Sequence, residues 1–336
     1  MANNKNTFFK QNHLFRNSRI VSLTLAALLL LSCGSREKQV KNSSGLNGNI
    51  SISGAFALYP LATQWAIEFQ RLHPDVVIDL SAGGSGKGIT DVLTGQVDLG
   101  MVSRGLKPVE KANGAVPIPV AKDAVVITMN RDNPMRTYVK RHGLSMAKAT
   151  RLWRTEQVKT WGQLLGTKST LPINVYTRSD ACGAAATFAQ WLCCSQEDLL
   201  GTGVYGDPGM AQQVGADVCG IGINNIGYVY NSKTGQPNKG LTVVPLDING
   251  NGRVDNDEQF YDTKQQLINA IAAGRYPTPP ARYLYFVTKG KPTNPVVRAF
   301  LEFVITRGQQ YNMPAGFIPM NSSIMKKQML WLKKTH

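Results

Sequence analysis

The feature that most restricts the fold of this chain is a strand, a loop of small residues and an amphipathic helix, which occur in that order three times. The loops are GAFALYP after residues 49–53, SAGGSGKG after residues 76–80 and TRSDACG after residues 173–176. In the helix after the first loop, Leu61, Trp65 and Phe69 share one face. This alternation predicts an α/β fold whose loops gather at the carboxyl ends of the strands.

The residues after position 48 are numerous enough for two lobes of about 130 to 150 residues, each with its own core. No linker rich in Ser, Pro or Gly divides this part of the chain into consecutive domains. The two lobes are therefore expected to be built from discontinuous segments.

Residues 1–32 have the composition of a signal peptide. Four cations and no acid precede the apolar run at 20–31, a pattern typical of a signal peptide rather than a membrane span. Cys33 follows Leu-Leu-Ser as in a bacterial lipobox, which predicts lipidation; the alternative is ordinary cleavage in which Cys33 has no role. Residues 33–47 are polar and predict a flexible lipidated tether. We therefore expect the protein on the periplasmic side of the cell envelope, anchored to a membrane.

The chain is basic, with a net charge of +16, of which the leader contributes four charges. Export and the scattered positions of the cations argue against a nucleic-acid partner, so the charge favours small anions. Four further cysteines, Cys182, Cys193, Cys194 and Cys219, would lie in an oxidising compartment. Disulfides and unpaired thiols both remain open, and no Cys-x-x-Cys pair or nearby His indicates zinc.

The three loops supply the donors that a small oxyanion needs. Such an anion is costly to desolvate and is held by backbone N–H groups at helix starts, by hydroxyls and by arginine. The candidates are the N–H groups near Ala57, Leu58 and Tyr59, the Ser85 hydroxyl, Arg178, and the helix start at Cys182, Gly183 and Ala184. For each loop alone, the alternative is a tight connection without a ligand.

The same segments carry a family resemblance. The runs SISGAFALYPLATQWAIEFQ, SAGGSGKGITDVLTGQVDLGMVSRGLKP and YTRSDACGAAATFAQWL resemble the phosphate-binding component of high-affinity phosphate ABC transporters, in order and spacing. RLWRTEQVKTWGQL, GIGINNIGYVY and YPTPPARYLYFVTKG are also similar, so that the resemblance covers about residues 48 to 320. It implies a monomeric binding protein that passes phosphate to a membrane permease.

The fold implied is a two-lobed type II periplasmic-binding-protein fold with a hinge of two strands. We expect residues 48–130 plus 282–336 to form lobe I and residues 131–281 to form lobe II. Carried over by position, the anion-binding residues are Ala57, Leu58, Ser85, Arg104, Arg178, Cys182, Gly183 and Ala184.

Three departures from the family pattern weaken the assignment of the anion. Cys182 and Ala184 replace two hydroxyl donors, and Arg104 stands where some members have an aspartate. HPO4²⁻ carries a proton that needs an acceptor, whereas sulfate carries none. Asp123 is the expected acceptor, and Asp180 is expected to hold Arg178 in place.

Other functions stay open. The same scaffold would serve sulfate, molybdate or an organic phosphate, or an envelope sensor without transport. An exported phosphate-ester hydrolase would need a metal cluster or an activated nucleophile with a base, and the sequence shows neither. Cys182 beside Arg178 is the one candidate nucleophile, but no His lies near it in sequence. We therefore expect no enzymatic activity.

A second motif does not depend on the family. DINGNGRVDNDE, residues 247–258, matches the EF-hand calcium loop D-x-N-x-N-G-x5-E. The predicted ligands are Asp247, Asn249, Asn251, the carbonyl of Arg253, Asp255 through water, and Glu258. The alternative is an Asx-rich turn between a strand and a helix. The sequence predicts a lone structural Ca²⁺ site in lobe II, because a strand rather than a helix leads into the loop.

Overall fold

The computed structural model describes residues 45–155 and 157–334. The predicted signal peptide, Cys33 and most of the tether lie outside these residues. Within the described part, no helix is both long and apolar enough to cross a membrane.

The described residues form a mixed α/β structure around a nine-stranded sheet. The strands are β1 (Gly48–Gly54), β2 (Val76–Ala82), β3 (Leu99–Val102), β4 (Ala115–Asn130), β5 (Asn174–Arg178), β6 (Thr202–Val204), β7 (Gly220–Asn225), β8 (Leu241–Val243) and β9 (Ala281–Lys289).

The order of the strands gives the two-lobed fold. It is β2-β1-β3-β9-β4-β7-β5-β6, and β8 also pairs with β4. β1 lies parallel between β2 and β3 at one end, and β5 lies parallel between β6 and β7 at the other. The long antiparallel strands β4 and β9 join the two ends. They form the two-strand hinge that the resemblance implied.

The helices cover the sheet and close the loops. Within the described residues they are α1 (Tyr59–Leu72), α2 (Gly84–Leu93), α3 (Pro108–Ala112), α4 (Arg136–His142), α5 (Met146–Trp153), α6 (Trp161–Leu165), α7 (Gly183–Trp191), α8 (Gly206–Ala216), α9 (Ile226–Val229), α10 (Lys264–Ala272), α11 (Pro295–Ile305), α12 (Asn312–Ala315) and α13 (Ser322–Lys333). Short 3-10 helices occur at Gln196–Asp198, Asn256–Glu258 and Arg307–Tyr311.

Each lobe has its own hydrophobic core. In lobe I, α1 packs Trp65 and Phe69 against Phe286 and Phe300, with ring centroids 5.3 to 5.9 Å apart. In lobe II, Trp153 and Phe188 meet edge to face at 5.0 Å. Fully burying an aromatic or aliphatic side chain of this size contributes about 1.5–3 kcal/mol, so each core can hold its lobe together.

The strand pairing bears on where lobe I passes into lobe II. Up to Ala124, β4 pairs with β9, whereas Val125–Met129 pairs with β7 and the last residues pair with β8. The residues from Ala124 to Met129 also belong to the core of lobe II. These contacts favour a crossing near Ala124, earlier than the predicted boundary at residue 130, because the strand continues unbroken through the hinge.

The second glycine-rich loop is the clearest local difference from the sequence prediction. The segment SAGGSGKG was expected to be a loop that precedes the helix, but α2 already begins at Gly84, within that segment. Gly84 has a φ of +90°, which a residue without a Cβ adopts readily. The turn from β2 into the helix is therefore tighter than expected, and Ser85 lies in the first turn of α2.

Candidate functional site

The three predicted loops meet between the lobes. The N–H of Gly86 in α2 donates to the Ala181 carbonyl of the third loop across 2.9 Å. The first loop contacts lobe II through Tyr228, whose hydroxyl donates to the Phe56 carbonyl at 2.9 Å. The structure therefore brings together loop segments that lie far apart in the sequence.

Several N–H groups in these loops have no hydrogen-bond partner among the described residues. They are those of Phe56, Ala57, Ser85, Gly183 and Ala184. Four of them were predicted as anion-binding positions, and Phe56 was not. The N–H groups of Ser85, Gly183 and Ala184 lie in the first turns of α2 and α7, where the helix dipole adds positive potential.

The N–H group of Leu58, which was predicted to bind the anion, is engaged within its own loop. Its N–H already donates to the Ala55 carbonyl at 3.1 Å, within the turn that starts α1. The donor is thus used locally in this conformation. The same turn leaves the preceding N–H groups of Phe56 and Ala57 free, so the first loop still offers two donors.

The Ser85 hydroxyl is paired with Ser103, a residue that the sequence analysis missed. Ser85 Oγ accepts from the Ser103 N–H at 3.0 Å and lies 3.2 Å from Ser103 Oγ. Both serines are buried. Gly183 lies close against Ser103, since a Cβ at Gly183 would come within 2.4 Å of the Ser103 carbonyl oxygen. This close approach between lobes is one that only glycine allows.

Arg178 is a fully buried cation held between two carboxylates. Its Nε and Nη2 donate to Asp180 at 2.8 and 2.7 Å, and Nη1 lies 3.0 Å from Asp207 Oδ1. Burial alone would lower the pKa of Arg178, but Asp207 and Asp180 outweigh it and raise the pKa, so the guanidinium stays charged. Asp180 therefore positions Arg178, as the spacing indicated.

Donor capacity remains on this arginine. Nη1 is buried and has no hydrogen-bond partner among the described residues, because the approach to Asp207 lacks hydrogen-bond geometry. An unmade charged hydrogen bond of this kind is costly unless a ligand completes it. The ring of Phe56 lies against the guanidinium of Arg178, with the ring centroid 5.9 Å from Cζ, and shields it on that side.

Asp123 belongs to a buried polar chain that runs from the hinge to Arg178. On β4 it accepts from Arg282 of β9 at 2.8 and 3.2 Å. Arg282 also donates to Asn225, and Asn225 Nδ2 donates to Asp207 Oδ1 at 2.6 Å. Each Asp123 oxygen accepts one hydrogen bond from Arg282, which anchors this carboxylate in the hinge and separates it from Arg178 by the other members of the chain. Its role as acceptor of a ligand proton stays a prediction.

Arg104 lies in a different environment. It follows β3 and makes a two-pronged pair with Glu110, at 2.9 and 2.6 Å. Glu110 also caps α3 by accepting from the Lys107 N–H. The guanidinium of Arg104 is thus engaged with its own loop, and the structure does not bring it into the cluster around Arg178.

Cys182 acts as the cap of α7. Its Sγ accepts from the Ala185 N–H at 3.3 Å, and its own N–H donates to the Gln196 side chain at 3.2 Å. Burial raises the pKa of the Cys182 thiol to about 12 despite the nearby Arg178. The group is therefore a neutral thiol near pH 7, which argues against a nucleophile. The four described cysteines are all free thiols.

The predicted calcium residues lie together in one exposed loop, but not around one point. Among the described residues, no three Asp, Glu, His or Cys side chains converge at metal-ligating distance. Glu258 Oε1 accepts from the Ile248 N–H at 2.7 Å, and Asp255 accepts from the side chains of Asn249 and Asn251.

Comparisons with known proteins agree with this arrangement. The sequence profile of the PBP superfamily domain matches residues 39–307. The phosphate-binding protein PstS of Pseudomonas aeruginosa PAO1 is 32% identical over 306 residues, 86% of this chain and 88% of that protein. The phosphate-binding protein PstS of Bacillus subtilis 168 is 25% identical over 319 residues, 91% of this chain and 95% of that protein.

A solved structure supports the fold. A putative phosphate ABC transporter substrate-binding protein with bound phosphate, from Clostridium perfringens, superposes with a TM-score of 0.66 at 23% identity, over 82% of this chain and 100% of that chain. The chain thus belongs to the PBP superfamily and, within it, to the family of the phosphate-binding protein PstS.

Proposed function

We propose that this protein captures phosphate between its two lobes and delivers it to the permease of an ABC importer. The observation that carries the proposal is the unsatisfied donor set: Nη1 of Arg178 and the free N–H groups at the starts of α2 and α7. A dianion that enters this cluster completes hydrogen bonds that are otherwise missing in a buried place. The two PstS relatives are named as phosphate-binding proteins, which supports phosphate as the ligand.

Capture proceeds by closure of the lobes about the hinge. Ser85 belongs to lobe I, whereas Arg178, Gly183 and Ala184 belong to lobe II, so an anion that binds both sets stabilises the closed arrangement. β4 and β9 are the only strands that pair across the hinge among the described residues. A bend in these two strands is therefore sufficient to open the cleft.

Asp180 replaces Asp123 as the proposed acceptor for the phosphate proton. A Cβ at Gly84 would lie 3.0 Å from Asp180 Oδ2, which places this carboxylate at the contact between the second and third loops. Oδ2 accepts only from Arg178 Nη2 and keeps capacity for one more donor. A protonated phosphate can use it, whereas sulfate would meet a carboxylate without a shared proton.

The remaining features of the proposal concern place and partners. We expect export by residues 1–32, lipidation of Cys33 and a monomer on the periplasmic side of the envelope. The protein binds and releases its anion without catalysis. One observation favours a second candidate, the same scaffold with another oxyanion: Cys182 and Ala184 supply no hydroxyl where the family pattern has two.

Titration calorimetry tests the ligand. The mature protein, freed of anion by partial unfolding and refolding, is titrated with phosphate and with sulfate separately. We expect phosphate to bind at least about 100-fold more tightly than sulfate, since a charged hydrogen bond to Asp180 that sulfate cannot make is worth roughly 3 kcal/mol. In Arg178→Lys, which keeps the charge and loses the planar fork, phosphate affinity should fall about 10- to 100-fold.

Arg131→Lys is the matched control, because Arg131 is exposed and its side chain makes no hydrogen bond or ion pair among the described residues. It should bind phosphate as the wild type does. Tight binding of sulfate or molybdate in place of phosphate would move the assignment to the second candidate. Binding of none of these anions would reject the proposed function altogether.

A further inference from the structure

The loop 247–258 lies far along the chain from the anion cluster and is clamped at both ends to α4. The Asp247 N–H donates to the Leu144 carbonyl at 3.2 Å, and the Val254 N–H donates to the Arg141 carbonyl at 2.9 Å. His142 Nδ1 lies 2.8 Å from the Gly252 carbonyl oxygen. The loop is thus a defined part of lobe II, although most of its residues are exposed.

Asp247 is the residue whose surroundings indicate a missing ligand. The residue is buried, with a fractional exposure of 3%, yet its Oδ1 atom accepts no hydrogen bond from the described residues. Oδ2 accepts from the Gly252 N–H at 3.1 Å, so the carboxylate faces into the loop. A buried carboxylate oxygen without a donor is expensive, and a bound cation is one way to satisfy it.

The other oxygens of the loop are arranged around the same turn. Asn249 Oδ1 and Asn251 Oδ1 each accept from the backbone two residues later, at 3.0 Å. Their amide nitrogens donate to Asp255 Oδ2 at 2.9 and 2.7 Å, which gathers these three side chains. Side chains at loop positions one, three, five and nine are those that an EF-hand loop uses.

The charge of the loop favours a cation. Asp247, Asp255, Asp257 and Glu258 face a single cation in the loop, Arg253, which pairs with Asp255 at 2.7 Å. A divalent cation would neutralise repulsion that the loop now relieves through Arg253 and through amide and backbone donors.

We propose that residues 247–258 bind Ca²⁺. Asp247 Oδ1, the side chains of Asn249, Asn251 and Asp255, the Arg253 carbonyl and Glu258 supply the oxygens. Glu258 now accepts from the Ile248 and Asp255 N–H groups, at 2.7 and 3.1 Å, and must turn inward to bind the ion. Ca²⁺ tolerates irregular sets of six to eight oxygens, whereas Mg²⁺ demands a near-ideal octahedron, so Ca²⁺ is favoured.

The site stabilises lobe II and does not switch it. The loop connects β8 with α10 and is preceded by a strand, so there is no pair of helices for the ion to open. Binding fixes the loop against α4 and adds to the stability of the folded state by mass action. This role is independent of phosphate, and it does not rest on the proposed function.

Calcium titration of the protein treated with chelator tests the proposal. Only three carboxylates contribute, so we expect a dissociation constant on the order of 10⁻⁴ M, as in extracellular modules. At about 10 mM Ca²⁺ the melting temperature should rise by roughly 5 °C, and the same concentration of Mg²⁺ should have a much smaller effect. Isothermal calorimetry with Ca²⁺ alone measures the affinity directly.

Two variants locate the site, and one matched control separates it from charge screening. Asp247→Asn and Glu258→Gln should each lose most of the Ca²⁺-dependent rise. Asp257→Asn removes the same charge from an exposed side chain that is not a proposed ligand, and it should keep the full rise. A wild type without calorimetric heat or thermal shift overturns the proposal, and so does an equal loss in all three variants.

Discussion

Two arginines were expected to bind the anion, Arg178 and Arg104. Each lies at the carboxyl end of a strand, but their surroundings differ. The side chain of Arg178 has no exposed area and is held by Asp180 and Asp207. The side chain of Arg104 is 13% exposed and pairs with Glu110 of its own loop. Only Arg178 is tied to the hinge, through Asp207, Asn225 and Arg282.

The difference shows that a cation at the end of a strand becomes a binding group only if other residues hold it there. The partners of Arg178 fix its orientation before the ligand arrives, which reduces the entropy that binding must overcome. Glu110 pairs with Nη1 and Nη2 of Arg104 from within lobe I, and no side-chain nitrogen of Arg104 is both buried and without a hydrogen-bond partner among the described residues. Arg104 thus shapes its loop, whereas Arg178 is the arginine that we propose binds the anion.

The largest expected effect on stability comes from removing the buried arginine of this pair. Arg178→Ala should lower the free energy of unfolding by about 3–5 kcal/mol, because Asp180 and Asp207 are left buried without their cation. Arg104→Ala should cost only about 1–2 kcal/mol, since Glu110 keeps its hydrogen bond from Lys107. Urea unfolding of both variants, followed by circular dichroism, measures the two values.

The pH dependence of the Arg178→Ala loss checks its cause. Burial already raises the pKa of Asp207 above its ordinary value, and the loss of Arg178 raises it further. A carboxyl group whose pKa is raised in the folded state destabilises that state above this pKa and stops doing so as the pH falls. The loss should therefore be smaller at pH 5 than at pH 8, and an equal loss at both would point to packing.

Some of these features were predictable from sequence because they are local. The spacing of Arg178 and Asp180 indicated an intraloop pair, and the structure has it. The spacing of Leu61, Trp65 and Phe69 predicted the inner face of α1, and all three are buried. The long motifs that match a known family then supplied the two-lobed arrangement, which local patterns alone do not specify.

Other features depend on residues that are distant in the chain. Asp123 and Arg282 are 159 positions apart, so nothing in the sequence near Asp123 indicated that its carboxylate was already engaged. Ser103 and Asp207 were missed for the same reason, since they meet Ser85 and Arg178 only after the sheet forms. Sequence patterns report neighbours on one element, whereas the site is made by packing between elements.

An intermediate effect is expected where lobe II approaches lobe I beside Arg178. In Gly183→Ala the new Cβ would lie about 2.2 Å from Ser103 Oγ and 2.4 Å from its carbonyl oxygen, so the third loop must move away. Phosphate affinity should fall about 10-fold or more, because a shift of a fraction of an ångström spoils hydrogen bonds from both lobes. Calorimetry measures the affinity, and small-angle scattering shows whether phosphate still compacts the protein.

Gly227→Ala is the matched control for this substitution. A Cβ at Gly227 meets no atom within 4 Å, and its φ is not positive, so alanine should be accommodated without loss of phosphate binding. If both variants bind as the wild type does, the contact between Gly183 and Ser103 does not belong to the ligand-bound arrangement. The proposal that the two lobes close on the anion would then need a different contact surface.

The smallest expected effect comes from restoring, in the loop that carries Arg178, a hydroxyl that the family pattern has. In Cys182→Ser a hydroxyl replaces the thiol that caps α7, and serine is a good N-cap residue. Stability should change by less than about 1 kcal/mol, while the new hydroxyl can donate to an anion and raise phosphate affinity roughly two- to fivefold. Cys219→Ser, at a half-buried cysteine outside the three loops, should leave the affinity unchanged. If Cys182→Ser binds phosphate with the affinity of the wild type, the side chain at this position points away from the anion and serves only as a cap. The missing hydroxyl would then no longer be a reason to consider another oxyanion.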